Sequence, residues 1–434
     1  MKNTMAAVAT RRATEMLVSD VMYREDLYPR SLTNPERVQE YCDNLSQLPP
    51  IEVNQHGILI DGWHRWTAHR KDGRLTIPAV ITETESDVHI LELAIERNAT
   101  HGLQLSQEDK QRYARSRYHT TIPQEREALK KRLCSLLSVD ERTIYRWLHR
   151  IDEDTKEAQQ KEAFALWLAC HTLQAISEAL TIPVKTIHDW LGDLCDIGHL
   201  SESAQAIASH AVDFTIPLYN IWKQQGKTQG SSHFGNSEVR WVDNLLYLYT
   251  HPFDVVVDPF AGGGSTIDIC KKRLRRYFVS DRKPIIEREK EIRCHDLTEG
   301  LPKVPRWQDV QLVYLDPPYW KQAEGAYSDG PTDLANMELE EFHSTLAKII
   351  TAFGRKLPSK AHIALLMQPT QWKAPDHRYT HHVFEMARRV KLPVAMCISC
   401  PYESQQCTAQ MVDWAKAARQ VLVLTRELVV WEVP

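Results

Sequence analysis

From residue 217 onward, short apolar runs alternate with amphipathic stretches of helical period. The runs are DVVVD (254–258), YFVSD (277–281), LVYLD (312–316), HIALLM (362–367), PVAMCIS (393–399) and QVLVLT (420–425). Strands covered by helices on both faces read as continuous apolar runs, because neither face meets water. This alternation predicts an α/β fold for 217–434, with a largely parallel sheet between two helical layers.

The first 210 residues have a different character. Residues 14–86 read as a small α+β unit, with the helix-like ERVQEYCDNLSQL stopped by Pro49-Pro50, then the strands IEV and ILIDG, the helix-like WHRWTAHRKDG and the strand TIPAVIT. Proline there ends a helix by removing an N–H and blocking the preceding turn. Residues 87–210 carry apolar positions at spacings of three and four, so they are expected to be helical. Three domains follow: 14–86, 87–210 and 217–434.

Composition excludes several classes. Apolar residues make up 43% and charged residues 25% of the 434, which suits a packed soluble chain rather than a disordered one. The formal net charge of −4 excludes a cationic coat along the whole length, though not a local basic face. No stretch approaches the ~20 apolar residues of a membrane span. The N-terminal segment has no apolar centre of signal-peptide length, so a cytoplasmic location is expected, in a bacterial cell or in the host of a phage or plasmid. Nine scattered cysteines fit reduced thiols better than a disulfide framework.

A nucleotide-type loop stands after the first strand of the α/β region. Asp258-Pro259-Phe260-Ala261-Gly262-Gly263-Gly264-Ser265-Thr266 runs from that strand into a helix. Consecutive glycines allow a tight turn and a close approach to a ligand, and a helix N-terminus offers free N–H groups. No Gly-Lys-Ser/Thr follows, so this is not the phosphate-cradling type. The second strand ends in Asp281, where an acid of such a unit holds ribose hydroxyls. Asp296 ends the next short segment. After the fourth strand comes Asp316-Pro317-Pro318-Tyr319. Two prolines fix an extended turn and remove two N–H donors. Carbonyl oxygens and a carboxylate are then left to accept hydrogen bonds from an exocyclic amine, and Tyr319 offers a face for a base taken out of the stack.

With these residues in this order, 217–434 resembles the amino-methyltransferases that methylate N6 of adenine or N4 of cytosine in DNA. The resemblance implies a Rossmann-like domain with a mixed seven-stranded sheet, PVAMCIS and QVLVLTRELVVWEV forming its last antiparallel pair. It implies S-adenosyl-L-methionine as cofactor, held by Asp258, Pro259, Phe260, Ala261, Gly262, Gly264, Ser265 and Thr266, with Asp281 on the ribose and Asp296 on the adenine. It implies that Asp316, Pro317, Pro318 and Tyr319 orient the target amine. Adenine N6 is favoured over cytosine N4, because DPPY is commoner with adenine in the family, whereas Ser in the first position is commoner with cytosine. The segment 233–242 is similar to the family's extra cofactor-binding loop and helix. About 50 residues separate the two motifs, too few for a long target-recognition insert, so sequence reading must come from elsewhere.

An internal repeat supplies a candidate. Residues 137–148 (LSVDERTIYRWL) align without gaps to 180–191 (LTIPVKTIHDWL). Each copy follows an amphipathic helix, passes a small polar residue and ends in Ile-x-x-Trp-Leu, the pattern of a helix-turn-helix. Ile144, Trp147, Leu148, Ile187, Trp190 and Leu191 are expected to face inward. Arg142, Thr143 and Arg146, and Lys185, Thr186 and His188, are expected to face double-stranded DNA. Residues 105–150 carry 11 Lys/Arg against 6 Asp/Glu, so the first copy is the stronger candidate; Asp189 would repel phosphate in the second.

Residues 27–81 resemble the ParB/sulfiredoxin-like N-terminal domain, through Pro29-Arg30, the PIEV strand and Gly62-Trp-His-Arg65-Trp-Thr-Ala68, with Glu96-Arg-Asn98 following. In those relatives the Gly/Arg turn cradles nucleotide phosphates, which makes Gly62 and Arg65 candidates here. Trp63 and His64 replace the usual pair, so nucleotide binding stays open. A homodimer is a further expectation.

Other signals weigh less. Cys397, Cys400 and Cys407 are three thiols where tetrahedral zinc needs four ligands, so no metal is expected. His381-His382 reads as a surface pair, and Trp320 as lining a base pocket or packing beneath it. Residues 271–293 hold ten basic against four acidic residues, a phosphate contact or an ordinary solvated face. Two rival readings remain: a non-catalytic DNA-binding partition or regulatory protein with an inactive methyltransferase fold, and a methyltransferase acting on RNA or a protein amide.

Overall fold

The computed structural model describes residues 13–29, 34–100, 105–224, 238–321, 333–371, 378–401 and 408–434. The chain divides into two compact units, Met1–Glu157 and Ala158–Pro434.

The first unit opens with a four-stranded sheet. Its elements are β1 (Thr14–Leu17), α1 (Pro35–Cys42), β2 (Ile51–Asn54), β3 (Leu59–Asp61), α2 (Trp63–Lys71) and β4 (Thr76–Thr82), with strand order β1-β4-β2-β3. Only β2 and β4 run parallel. Local chemistry explains the turns. Asn34 caps α1 by accepting from Arg37 N at 3.1 Å, with Pro35 following in a position that needs no N–H. Asn54 Oδ1 accepts from the His56 and Ile58 amides, closing the turn between β2 and β3. Ile51, Val53, Leu59, Trp66, Ile77 and Ala79 form the buried centre. Helices α3 (Asp87–Thr100), α4 (Gln107–Thr120), α5 (Arg126–Leu137) and α6 (Glu141–Leu168) follow. The expected second helix of the first repeat thus runs twenty residues past Leu148, because its apolar spacing continues without a breaker.

The second unit carries α7 (Leu173–Leu180), α8 (Val184–Leu194), α9 (Glu202–Ala208) and α10 (Val239–Tyr249) ahead of the large sheet. The sheet and its covering elements are β5 (Val255–Asp258), α11 (Ser265–Lys272), β6 (Arg276–Asp281), β7 (Arg293–Cys294), β8 (Val310–Leu315), α12 (Leu339–Gly354), β9 (His362–Met367), a small hairpin of β10 (Thr370–Gln371) and β11 (Tyr379–Thr380), α13 (His382–Arg389), β12 (Val394–Pro401), α14 (Ala409–Ala418) and β13 (Thr425–Glu432). The strand order is β12-β13-β9-β8-β5-β6-β7. Strand β13 runs antiparallel to both neighbours, and every other pair is parallel. This is the mixed seven-stranded sheet that the resemblance implies, buried by apolar clusters on its two faces.

One expected strand is displaced. QVLVLT (420–425) enters the sheet only at Thr425, and Val421 is exposed. Among the described residues the partners run out: Pro401 ends β12 opposite Thr425, and Met367 ends β9 opposite Glu427. Apolar composition cannot make a strand where no ladder is available. No described helix is long and apolar enough to cross a membrane.

Candidate active site

The chain passes from β5 outward through β6 to β7, then returns to place β8 on the other side of β5. A crevice opens at such a reversal, outside the carboxyl ends of the strands, where open α/β sheets bind ligands. Asp258 ends β5, Asp281 ends β6, and Asp316 immediately follows β8. Both motif loops therefore meet at the reversal.

The loop after β5 is shaped from within. Asp258 is 2% exposed. One of its oxygens accepts from Phe260 N at 3.0 Å and the other from the Thr266 hydroxyl at 2.6 Å. Burial, with the charges of Asp316 and Asp281, pushes its carboxyl up to about 7. Asp258 and Thr266 thus brace the loop, while Pro259, Ala261 and Gly264 are buried in it. Phe260, Gly262 and Ser265 retain partial exposure and can face a ligand. Gly262 and Gly264 have φ of +49° and +79°, a region costly for any residue with a Cβ. A Cβ at Gly264 would also lie 2.8 Å from Cδ of Arg288, whose guanidinium donates to the Gly264 carbonyl and grips Asp268.

The carboxylate of Asp281 accepts from Gly262 N at 3.0 Å and Lys283 N at 2.9 Å, tying the first loop to the end of β6. A carboxylate has about four acceptor sites, so it retains capacity for hydroxyl donors. Asp296 accepts from the amide and hydroxyl of Thr298 and pairs with Arg282 at 2.9 Å. Burial raises its pKa, but those donors and Arg282 outweigh it and hold the carboxyl below its usual range.

At the second loop, Asp316 Oδ1 accepts from the Tyr319 hydroxyl at 2.8 Å, and Oδ2 lies 3.5 Å from that of Tyr314. Pro317 is buried, whereas Asp316, Pro318 and Tyr319 are partly exposed. The guanidinium of Arg426, from β13, lies over the Tyr319 ring at 5.2 Å and the Trp241 ring at 5.8 Å, a cation–π arrangement that orders the tyrosine. Trp320 packs beneath, 5% exposed, with its indole N–H on the Met337 carbonyl. Of the segment 233–242, residues 233–237 lie outside the described residues, and Val239–Val242 begin α10.

Several readings change. His382 is fully buried rather than a surface residue: it opens α13 pointing inward, bonded to His343 and Thr370. The basic tract 271–293 is largely consumed internally. Arg273 and Arg275 are buried, Lys271 pairs with Glu291, Lys272 with Asp213 and Arg276 with Asp309, and Arg293 stacks on Phe278. Cys397 is exposed and Cys400 buried, on opposite faces of one strand; Cys407 lies outside the described residues. Among the described residues no cluster suits a metal.

The repeat has matching geometry in both copies. Ser138 and Thr181 end their first helices at φ of +49° and +57°, followed by Val139 N→Cys134 O at 3.1 Å and Ile182 N→Ser177 O at 3.2 Å. Ile144, Trp147, Leu148, Ile187 and Leu191 are buried, and Trp190 is half-buried. Arg142 and Arg146 are exposed, while Thr143 is spent on the Asp140 cap. Lys185 and His188 are exposed and Thr186 half-buried. Arg150, which motif reading omitted, extends Arg142 and Arg146 along one exposed stripe; the four-residue spacing was its signal.

In the N-terminal turn, Gly62 has φ of +105° and begins α2. Arg65 folds back to pair with Asp61 at 2.7 Å. The first amide of α2 donates to the Tyr28 hydroxyl, Trp63 packs on Tyr23, and His64 accepts from Asn34 N. Arg30 lies outside the described residues.

Residues 103–289 match the family model described as DNA methylase. The match covers less than half of the chain. The match spans the repeat, the loop 258–266 and Asp281, and stops before Asp296 and Asp316. Among solved structures, the chain is similar to the C-terminally truncated chromosome-partitioning protein ParB from Caulobacter crescentus complexed with CTP-gamma-S, at 15% identity over 46% of this chain and 87% of that one, TM-score 0.19. It is similar to TrmN from Thermus thermophilus, at 16% identity over 46% and 50%, TM-score 0.28. A third is an rRNA methylase from Streptococcus thermophilus, at 10% identity over 46% and 98%, TM-score 0.29. No curated protein matches the chain.

Proposed function

We propose that this protein methylates an exocyclic amine in DNA, adenine N6 ahead of cytosine N4, using S-adenosyl-L-methionine. One observation carries the reading: the glycine loop and the Asp316–Tyr319 turn follow the carboxyl ends of β5 and β8, adjacent strands at the point where the sheet reverses direction. The residues there suit the cofactor. Phe260 and Gly262 are partly exposed, Asp281 has acceptor capacity for a ribose diol, and Asp296 is an ionised acceptor for an adenine amine. When bound, the cofactor supplies an electrophilic methyl group.

The protein's own task is placement. The Asp316 carboxylate, steadied by Tyr319, accepts one amine N–H, and the Pro317 carbonyl accepts the other. The nitrogen lone pair is then directed along the line of attack. Such alignment supplies much of the rate of a displacement that needs no strong base. The Tyr319 ring, held by Arg426, is the stacking surface for an extruded base. Duplex DNA is the favoured substrate because the exposed stripe of Arg142, Arg146 and Arg150 on α6 suits a phosphate backbone. The ParB-like region is read as a DNA-presenting module. In it the start of α2 is occupied by Tyr28, Trp63 and His64, which does not favour a nucleotide there.

Asp316→Ala tests the assignment. Methyl transfer should fall at least about a thousandfold while calorimetric cofactor affinity stays within threefold, the split expected for a group that contacts only the acceptor. Unchanged turnover would remove the role given to Asp316.

A further inference from the structure

The Asp-Pro-Pro-Tyr turn has a structural weakness. Its two prolines have no N–H, so the turn depends on neighbours to fix it. Directly behind it lies a buried polar chain that none of the motifs contains. His343 Nε2, on α12, is 2.9 Å from His382 Nδ1, at the start of α13. His382 Nε2 is 2.9 Å from Thr370 Oγ1, in β10. Thr370 Oγ1 donates to the Trp320 carbonyl at 3.3 Å. His382 is fully buried, and His343 and Thr370 are 4% and 7% exposed.

The proton positions follow from the contacts. A carbonyl only accepts, so the single Thr370 hydroxyl proton points to Trp320. Its oxygen must then accept from His382 Nε2–H. That tautomer leaves His382 Nδ1 as a lone pair, which accepts from His343 Nε2–H. The chain therefore has one direction, from α12 to the Trp320 carbonyl, and it needs His382 neutral. Burial first, with the neighbouring His343 and His381, lowers His382 to about 3; burial also lowers His343, with Arg389 adding to it against Glu385 and Glu340. Trp320 is held a second time by its indole N–H on Met337 O, and the next amide, of Lys321, donates to Ala335 O at 3.2 Å. Apolar packing would have filled this space at less cost in desolvation, so a continuous polar chain argues for a requirement of position.

We propose that His343, His382 and Thr370 are positioning residues: a directional hydrogen-bonded relay that fixes the Trp320 carbonyl and so holds Asp316–Tyr319 in register for the target amine. The inference rests on the amine-methylating reading for its functional half only.

The test compares Thr370→Val, which keeps the shape and loses the hydroxyl, with Thr370→Ser, which keeps the hydroxyl. Two readouts are taken on the full chain. Thr370→Val should lower kcat for DNA methylation about tenfold or more, with KM for S-adenosyl-L-methionine within twofold, and Thr370→Ser should stay within threefold of wild type. Native-state hydrogen exchange should quicken at the Tyr319–Lys321 amides in Val and not in Ser. Wild-type kcat and exchange in Thr370→Val, or equal losses in Val and Ser, would overturn the relay. If Thr370→Val does not fold, His343→Gln, whose amide can still donate to His382, is compared with His343→Leu, and the same contrast decides. If the wild-type protein methylates no DNA, the functional reading fails, while the exchange contrast still decides whether the relay fixes the turn.

Discussion

Asp258 shows how one residue can shape a loop from within. Its carboxylate is buried, both oxygens are used by the loop, and burial lifts its pKa to about 7. A raised acid pKa favours the protonated form in the folded state. Its stabilising share is therefore complete below the unfolded value near 4 and is lost as pH rises through about 7. A displacement of this size corresponds to roughly 4 kcal/mol between the two forms. Asp258→Asn keeps acceptor and shape without the charge. Its melting temperature relative to wild type should therefore rise between pH 5 and pH 8, by several degrees; a constant difference would contradict the buried-acid account. The place of Asp258 at a strand end was legible in the sequence, but its inward direction was not. Motif spacing locates a residue along the chain, whereas burial depends on what packs over it. His382 was misread for the same reason, since a His-His pair at a helix start carries no mark of the His343 and Thr370 side chains that meet it.

At the level of elements, the repeat was read most fully. The 43-residue offset between 137–148 and 180–191 marks two helix pairs, and the same turn geometry recurs in both. What the sequence concealed was the extent of α6, because a helix without a breaker ends only where packing ends it. The first copy has the stronger charge case. Arg112, Arg126, Lys130 and Arg132 are engaged with Asp109, Asp152, Glu127 and Glu92, whereas Arg142, Arg146 and Arg150 form an exposed stripe. Changing Arg142 and Arg146 together to Ala should weaken duplex binding and reduce the salt slope by about 2, one counterion per lost phosphate contact. An unchanged slope would make the first copy purely structural. The QVLVLT run teaches the converse lesson: a strand needs open partners as well as apolar residues.

At the scale of the whole molecule, the predicted α/β architecture was legible because most strands of the sheet are closed apolar runs; β7 (Arg293–Cys294), two residues with no apolar run, was not. The basic tract 271–293 was not, because charge counts do not reveal internal pairing. Arg273, fully buried, forms a two-pronged pair with Asp243 and donates to the Ile207 and Asp213 carbonyls; His210 joins the same carboxylate at 2.9 Å. Arg275 donates to the Ala208 and Thr250 carbonyls. These two guanidinium groups fasten the end of α9 and the residues after it to the sheet region of the second unit. Removing one partner of a buried pair strands the other, so Asp243→Ala should cost about 3–5 kcal/mol in denaturant unfolding. Burial opposes ionisation of Asp243, but His210 and Arg273 outweigh it and lower its pKa. Its contribution is therefore held above the unfolded value near 4 and lost as pH falls below it, and acid unfolding of Asp243→Ala should lack that component. The division into 14–86, 87–210 and 217–434 stays our proposal for how the parts of the chain are used.

The most direct measurement is product analysis. The protein is incubated with methyl-labelled S-adenosyl-L-methionine and unmethylated genomic DNA, the DNA is digested to nucleosides, and the labelled nucleoside is identified by mass spectrometry. The account predicts label in N6-methyldeoxyadenosine that disappears with Asp316→Ala. Label only in N4-methyldeoxycytidine would keep the enzyme and reverse the base. No label in DNA, from a protein that binds the cofactor, would contradict the central claim.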